Sequence, residues 1–289
     1  MNLFNALFFL FVSTTFYKTV FAIIDGQLVG NIEHYKYMVG FQLNIDQNHS
    51  SHFCSGIIIS ERKILSVAHC LHQGNSFTLK FGALKLDKPH YTLDITNKDF
   101  TIHPEYSGGD PYHNDIAVVE LETPLIFGPK IGKINMIDYR IIDKNYASEG
   151  GNTVTMLGYT ESDGRDRNMT VSPLKSIDAT TAEFFQCQTL VYEQHMDRLI
   201  QKDREFCVNL HKGQRHNTNQ GDSGGPVIIK KRKHYLLGLI SYDFWNMPEI
   251  CTLISGHTEF IADPRSYVSR YSRKREAVWS IEDEGLLIW

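Results

Sequence analysis

Apolar and polar positions alternate along most of this chain in short runs, and turn residues break the runs at intervals of roughly ten. A period of two is the mark of strands with one buried face. In the first part such runs are Tyr37–Leu43, Phe53–Ser60, Lys63–Val67, Phe77–Phe81, Tyr91–Ile95, Phe100–Ile102 and Ile116–Leu121. The second of these carries Ile57-Ile58-Ile59, a β-branched core that suits a pleated sheet. A link of mixed composition follows from Pro124 to Asn145. Strand patterns resume at Thr153–Leu157, Leu174–Ile177, Val227–Ile229 and Tyr235–Ser241. Only two stretches read as helix: part of Thr180–Asp203, and Pro264 to about Val278, where proline suits the first turn. No internal repeat or low-complexity segment interrupts the pattern. It predicts an all-β chain of two halves, each an antiparallel barrel or sandwich, with one intermediate and one C-terminal helix.

Composition narrows this picture. The 289 residues are 42% hydrophobic and 21% charged, enough for one large or two small globular domains. The net charge is −4, and the densest basic runs are Lys230-Lys231-Arg232-Lys233 and Arg273-Lys274-Arg275. Neither is long enough to track a phosphate backbone, so no nucleic-acid partner is expected. The first lies between apolar strands and reads as a solvated hairpin tip.

Residues 1–22 hold the apolar run Leu7 to Val12 and end Val20-Phe21-Ala22, a pattern suited to signal-peptidase cleavage after Ala22. No later run is long enough to span a bilayer, so a secreted chain without a membrane anchor is expected. Glycosylation sequons begin at Asn48 and Asn168. The cysteines are Cys54, Cys70, Cys187, Cys207 and Cys251; outside the cell they oxidise, and five leaves one over.

The chemistry concentrates in Gln220-Gly221-Asp222-Ser223-Gly224-Gly225-Pro226. Glycines permit a sharp turn and a close approach of a second chain. A serine in such a turn projects its hydroxyl outward, with backbone N–H groups converging beside it, as a nucleophile and an oxyanion hole require. Two further motifs precede it: Ser66-Val67-Ala68-His69-Cys70 and His113-Asn114-Asp115-Ile116-Ala117-Val118-Val119. A histidine is the natural base for a serine hydroxyl, since its ordinary pKa near 6.5 lets it take and return a proton near neutrality.

In this order and with these flanks, the three motifs resemble the chymotrypsin/trypsin-like serine proteases, from Ile23 to about Tyr271. The resemblance implies two six-stranded antiparallel β-barrels, spanning 23–135 and 136–262, and a C-terminal helix and tail over 263–289. It implies His69, Asp115 and Ser223 as the catalytic set, with the N–H groups of Gly221 and Ser223 as the oxyanion hole. Ile23 resembles the family's mature N-terminus, whose freed amino group pairs with the acid before the nucleophile, here Asp222. Ala22 stands where family zymogens carry Arg or Lys, so signal peptidase itself is expected to create that terminus. The resemblance implies a disulfide Cys54–Cys70, which has the family spacing, and Cys187–Cys207, which resembles the family pair of the second half with a longer loop than usual. A third family bridge has Asn219 at one end, which leaves Cys251 as its orphaned partner.

The same resemblance places Asn217, Ser241, Tyr242 and Asp243 at the substrate pocket. A trypsin has Asp where Asn217 stands, so a strong trypsin-like preference is not expected. Asp243 replaces a glycine; its carboxylate points to solvent, narrows the pocket, or attracts a basic or hydroxylated side chain. Of the family's Gly-Trp-Gly stretch only Gly158 remains. His49 and His52 read as a surface pair. No metal or cofactor is implied, since Gly82 to Tyr91 offers only Asp87 to a calcium loop.

Two functions follow. The first is a secreted serine endopeptidase acting on protein or peptide substrates as a monomer, open to protease inhibitors. The second is a catalytically weak or inactive homologue that binds host or partner proteins.

Overall fold

The computed structural model describes residues 26–44, 50–108, 112–138, 142–143, 145–159, 173–194, 199–209, 221–243 and 247–285. The segment 1–22, Ile23, Asn48, Asn168, Asn217 and Asn219 lie outside the described residues.

Strand β1 (Gln27–Leu28) opens the described chain. The next seven strands form one antiparallel sheet: β2 (Met38–Asn44), β3 (Ser50–Ile58), β4 (Lys63–Ser66), β5 (Ser76–Phe81), β6 (Tyr91–Thr96), β7 (Phe100–Ile102) and β8 (Ala117–Glu120). Their order across the sheet is β6-β5-β2-β3-β4-β8-β7. The two outer strands, β6 and β7, are consecutive in the chain and separated only by 97–99. So short a link holds the edges together and curls the sheet into a half-barrel. Its interior is filled by Phe41, Ile57, Leu65, Phe77, Leu79 and Phe81, all at 0% exposure.

The second sheet contains β9 (Asn135–Met136), β10 (Thr153–Tyr159), β11 (Leu174–Thr181), β12 (Glu205–Asn209), β13 (Pro226–Lys230), β14 (His234–Tyr242) and β15 (Glu249–Leu253). The path β11-β10-β13-β14-β15-β12 returns to β11, so this barrel is closed with six strands and has no free edge in the ring. Strand β1 pairs with β11, and β9 runs parallel to β14. Residues at both ends of the first half are thereby tied into the second barrel.

Four α-helices, α1 (Ala68–His72), α2 (Phe184–Gln194), α3 (Thr258–Ala262) and α4 (Pro264–Gly285), and two short 3-10 helices, Ile32–Tyr35 and Ile254–His257, complete the described chain. No described helix is long and apolar enough to cross a membrane. The two barrels meet on Tyr159, which is fully buried and donates its hydroxyl to the Ala83 carbonyl at 2.7 Å.

Several elements depart from the pattern read in the sequence. Strands β12 and β15 were absent from it, because each starts with a glutamate that the fold buries: Glu205 is 4% and Glu249 2% exposed. Helix α4 continues past Val278 to Gly285. Cys251 is the cysteine left unpaired. It lies in the middle of β15, opposite Phe206 and Ile240, as a fully buried free thiol in the second barrel's core. Burial pushes its pKa well up, the setting of a packed side chain rather than a reactive one.

Candidate active site

His69 is the second residue of α1, which follows β4 through the extended Val67. The next residue, Cys70, is joined to Cys54 of β3, so the helix is stapled to the sheet at the position of the histidine. Asp115 enters from the loop before β8. The preceding Asn114 has φ 53°, a left-handed conformation that asparagine tolerates better than most residues. Its side chain locks that turn: Nδ2 donates to the Glu105 carbonyl at 3.1 Å, and Oδ1 accepts from Arg204 Nη1 at 2.6 Å.

The chain therefore delivers the Asp115 carboxylate to His69. Asp115 is 1% exposed. Its Oδ1 accepts the His69 backbone N–H at 2.8 Å, and its Oδ2 lies 2.8 Å from His69 Nδ1. Oδ2 also accepts the Ser241 hydroxyl at 2.5 Å, and the Asp115 carbonyl accepts Thr252 Oγ1 at 2.8 Å. A buried carboxylate needs donors of this kind. With Nδ1 donating to Asp115, the other ring nitrogen, Nε2, is left with a lone pair. His69 also lies near the sulfurs of Cys54 and Cys70, but these are bonded to each other and offer no thiolate for a metal.

Ser223 sits in a turn between the barrels and is partly exposed. The turn is pinned to β3: Ser55 N–H donates to the Ser223 carbonyl at 2.8 Å, and Ser55 Oγ donates to the Gly221 carbonyl at 2.6 Å. On the other side, Gly224 N–H donates to the Ile240 carbonyl of β14 at 2.8 Å. Gly221 has φ 104° and Gly224 φ 80°. A Cβ on Gly221 would collide with the Tyr159 carbonyl, and one on Gly224 with the Ser55 carbonyl and the Ser66 hydroxyl. Both positions require glycine for conformation and for space.

Asp222 is fully buried. Its Oδ1 occupies the space that a Cβ on Gly158 would take. That contact explains why Gly158 is the one glycine retained in its stretch.

The structure brings Ser241 and Tyr242 to the same site. The Tyr112 ring lies 5.6 Å from His69 and 5.4 Å from Tyr242, centroid to centroid. Tyr242 donates its hydroxyl to Glu205 Oε1 at 3.2 Å. Glu205 Oε2 also meets His113 Nδ1 at 3.2 Å and accepts Gln201 N–H at 2.8 Å. Glu205, Tyr112 and His113 are site residues that the sequence pattern did not reveal, although His113 stands inside the Asp115 motif. Asp243 follows Tyr242; its Oδ2 is buried with no hydrogen bond, and burial raises its pKa to about 6.

His52 is not a surface residue. Both ring nitrogens are buried, its ring packs edge-on to Tyr159 at 6.1 Å, and its Nε2 lies directly under Gly221. Burial lowers its pKa to about 4, so a neutral ring supports the Gly221 turn. Its place in β3, two residues before Cys54, was the available signal.

Of the two disulfides, Cys187–Cys207 ties α2 to β12 in the second barrel.

Residues 23–255 match the family model described as trypsin. Vitamin K-dependent protein C of Oryctolagus cuniculus is 29% identical over 194 residues, 65% of this chain and 40% of that protein. Serine proteinase stubble of Drosophila melanogaster is 27% identical over 229 residues, 74% of this chain and 27% of that protein. The chain thus spans less than half the length of either relative.

Proposed function

The chain belongs to the trypsin family of serine proteases, and from that premise we propose that it is a secreted serine endopeptidase working through Ser223, His69 and Asp115. Ser223 Oγ attacks the carbonyl carbon of the scissile peptide bond while His69 Nε2 takes its proton. The N–H groups of Gly221 and Ser223 receive the oxyanion of the tetrahedral intermediate. His69 returns the proton to the departing amine, and water then repeats the sequence on the acyl-enzyme. Asp115 holds the His69 tautomer and stabilises the imidazolium formed in both halves.

The observation that carries this reading is the buried Asp115 carboxylate, bound at once by the His69 backbone, the His69 ring and Ser241. Such an arrangement orients an imidazole for proton transfer, at the cost of burying a charge that a purely structural loop has no need of. Asp222 lies buried one residue before Ser223, where a charged amino group would neutralise it. Ile23 would supply that group once the bond after Ala22 is cut.

The reading is tested with the secreted protein. Its N-terminal sequence should begin at Ile23. It should hydrolyse a mixed peptide library, and Ser223→Ala should lose more than about 10³-fold in turnover. A folded chain beginning at Ile23 with the same turnover in wild type and Ser223→Ala would contradict it.

A further inference from the structure

Strand β13 leads away from Ser223. Lys230 lies four residues past Pro226, on the order of 13 Å along the strand. Lys231, Arg232 and Lys233 turn the chain there, with Lys231 N–H donating to the Lys233 carbonyl at 3.0 Å. All three side chains are exposed.

Two other segments come to the same end of the barrel. Strand β9 runs beside the start of β14, with Asn135 opposite Tyr235, and Asn135 Nδ2 donates to the His234 carbonyl at 2.9 Å. Exposed Lys133 is two residues before Asn135, beside the hairpin. The 3-10 helix Ile32–Tyr35 joins through rings: Tyr35 stacks on His234 at 5.4 Å, and Lys230 Nζ lies 5.9 Å from the Tyr35 ring centre. Half-buried Lys36 follows it; its carbonyl accepts Gly132 N–H at 3.0 Å, and its Nζ donates to the Gly128 carbonyl at 3.5 Å. Lys130 is exposed between those two glycines. The positive field reaches His234, whose pKa is lowered by burial first and then by Lys230 and His34.

The chain as a whole carries −4. Here, against that balance, Lys36, Lys130, Lys133, Lys231, Arg232 and Lys233 gather with no ion-pair partner among the described residues. Glu33 is the acid of the 3-10 helix, and Asp178 already pairs with Lys230 at 3.4 Å. Like charges held together repel one another. A fixed polyanion laid across them relieves that repulsion and releases counterions. Cations drawn from three segments cannot all meet one small anion, so the ligand carries its charges along a chain. The aromatic rings here, Tyr35 and His234, are stacked on each other, which gives nucleic-acid bases no platform. Ile126 is the one large apolar side chain exposed in these segments, too little to hold the protein on a bilayer.

We propose that this end of the second barrel binds a linear sulfated polysaccharide, which holds the protein to a polyanionic matrix while the catalytic cleft stays open. Ser223 takes no part in the binding, so the inference stands apart from the proposed endopeptidase.

The test is calorimetric titration of the secreted Ser223→Ala protein with heparin. Affinity should fall at least about tenfold between about 50 and 200 mM salt, as counterion release requires. Added to that protein, Lys231→Gln/Arg232→Gln/Lys233→Gln should weaken binding by about tenfold or more, and Lys130→Gln/Lys133→Gln by roughly threefold or more, since separate segments form one site. Arg273→Gln/Lys274→Gln/Arg275→Gln, which removes an equal charge from α4, should leave the affinity unchanged. All of these side chains are exposed, and thermal unfolding confirms that each variant is folded. Unsulfated hyaluronan, single-stranded DNA and phosphatidylserine vesicles should each bind more weakly than heparin. No binding of heparin at low salt, wild-type affinity in the hairpin variant, or an equal loss in the α4 variant overturns the inference. So does DNA, hyaluronan or a vesicle that binds as tightly as heparin. Turnover of a short peptide by the wild-type protein is a separate measurement, so the failure of either reading leaves the other standing.

Discussion

Asp115 binds its neighbours through charge, and Ser241 makes the shortest of those bonds at 2.5 Å. Ser241→Ala leaves Oδ2 with the His69 ring alone. A hydrogen bond to a charged group is worth about 1.5–3 kcal/mol. The variant should therefore lose roughly 10–100-fold in kcat, with KM little changed, because the bond matters most when the imidazole carries charge. Steady-state kinetics on one peptide checks this. Asp243 gives a prediction of opposite sense. Burial raises its pKa from 3.8 to about 6. Below about 3.8 the carboxyl is protonated in folded and unfolded chains alike and costs nothing. Between the two values a penalty for the buried anion grows, and above about 6 it is complete. Asp243→Asn should thus raise stability at pH 8 by on the order of 2 kcal/mol and leave it unchanged near pH 3.5, as read by denaturant titration. A gain of equal size at both pH values would mean that charge burial is not its cause.

Among the elements, legibility followed the apolar pattern. Strands β2 to β8 announced themselves because Phe41, Ile57, Leu65 and Phe81 recur at strand period with polar residues between. Strands β12 and β15 did not, because Glu205 and Glu249 are acids inside the fold, and a pattern of apolar positions has no place for them. The three motifs around His69, Asp115 and Ser223 were plain in the sequence, since glycine, histidine and acid must sit at those positions for steric and chemical reasons. Their supports were not. Ser55, His52 and Glu205 come from β3 and β12 and are joined to the site only by the fold. Gly158 of β10 is a case between the two. It is visible as a retained glycine, and its reason is visible only in the contact with Asp222. Gly158→Ala should push the Asp222 carboxylate aside and lower kcat by at least tenfold, since the turn carrying Gly221 and Ser223 hangs on that residue. Thermal unfolding measured alongside separates this from general destabilisation: the loss of turnover should persist well below the midpoint.

At the scale of the whole molecule, the site belongs to neither barrel. The half-barrel contributes Ser55, His69 and Asp115; the closed barrel contributes Ser223 and Ser241. Two cross-links fix what hydrogen bonding leaves adjustable. One ties α1 to β3 beneath His69, and the other closes a loop of 20 residues between α2 and β12. For a loop of that length, removing the bridge costs about 3 kcal/mol. The Cys187→Ala/Cys207→Ala variant should lose about that much in denaturant titration while keeping the His69–Asp115 geometry, and hence turnover at low temperature. The account as a whole depends on Ser223 being an activated nucleophile at the seam of two barrels. The most direct measurement is covalent labelling of the protein beginning at Ile23 by a fluorophosphonate, with the modified residue identified by mass spectrometry. The account predicts a single adduct on Ser223 that is lost in His69→Ala. A folded, processed protein that takes no label at Ser223 would contradict it.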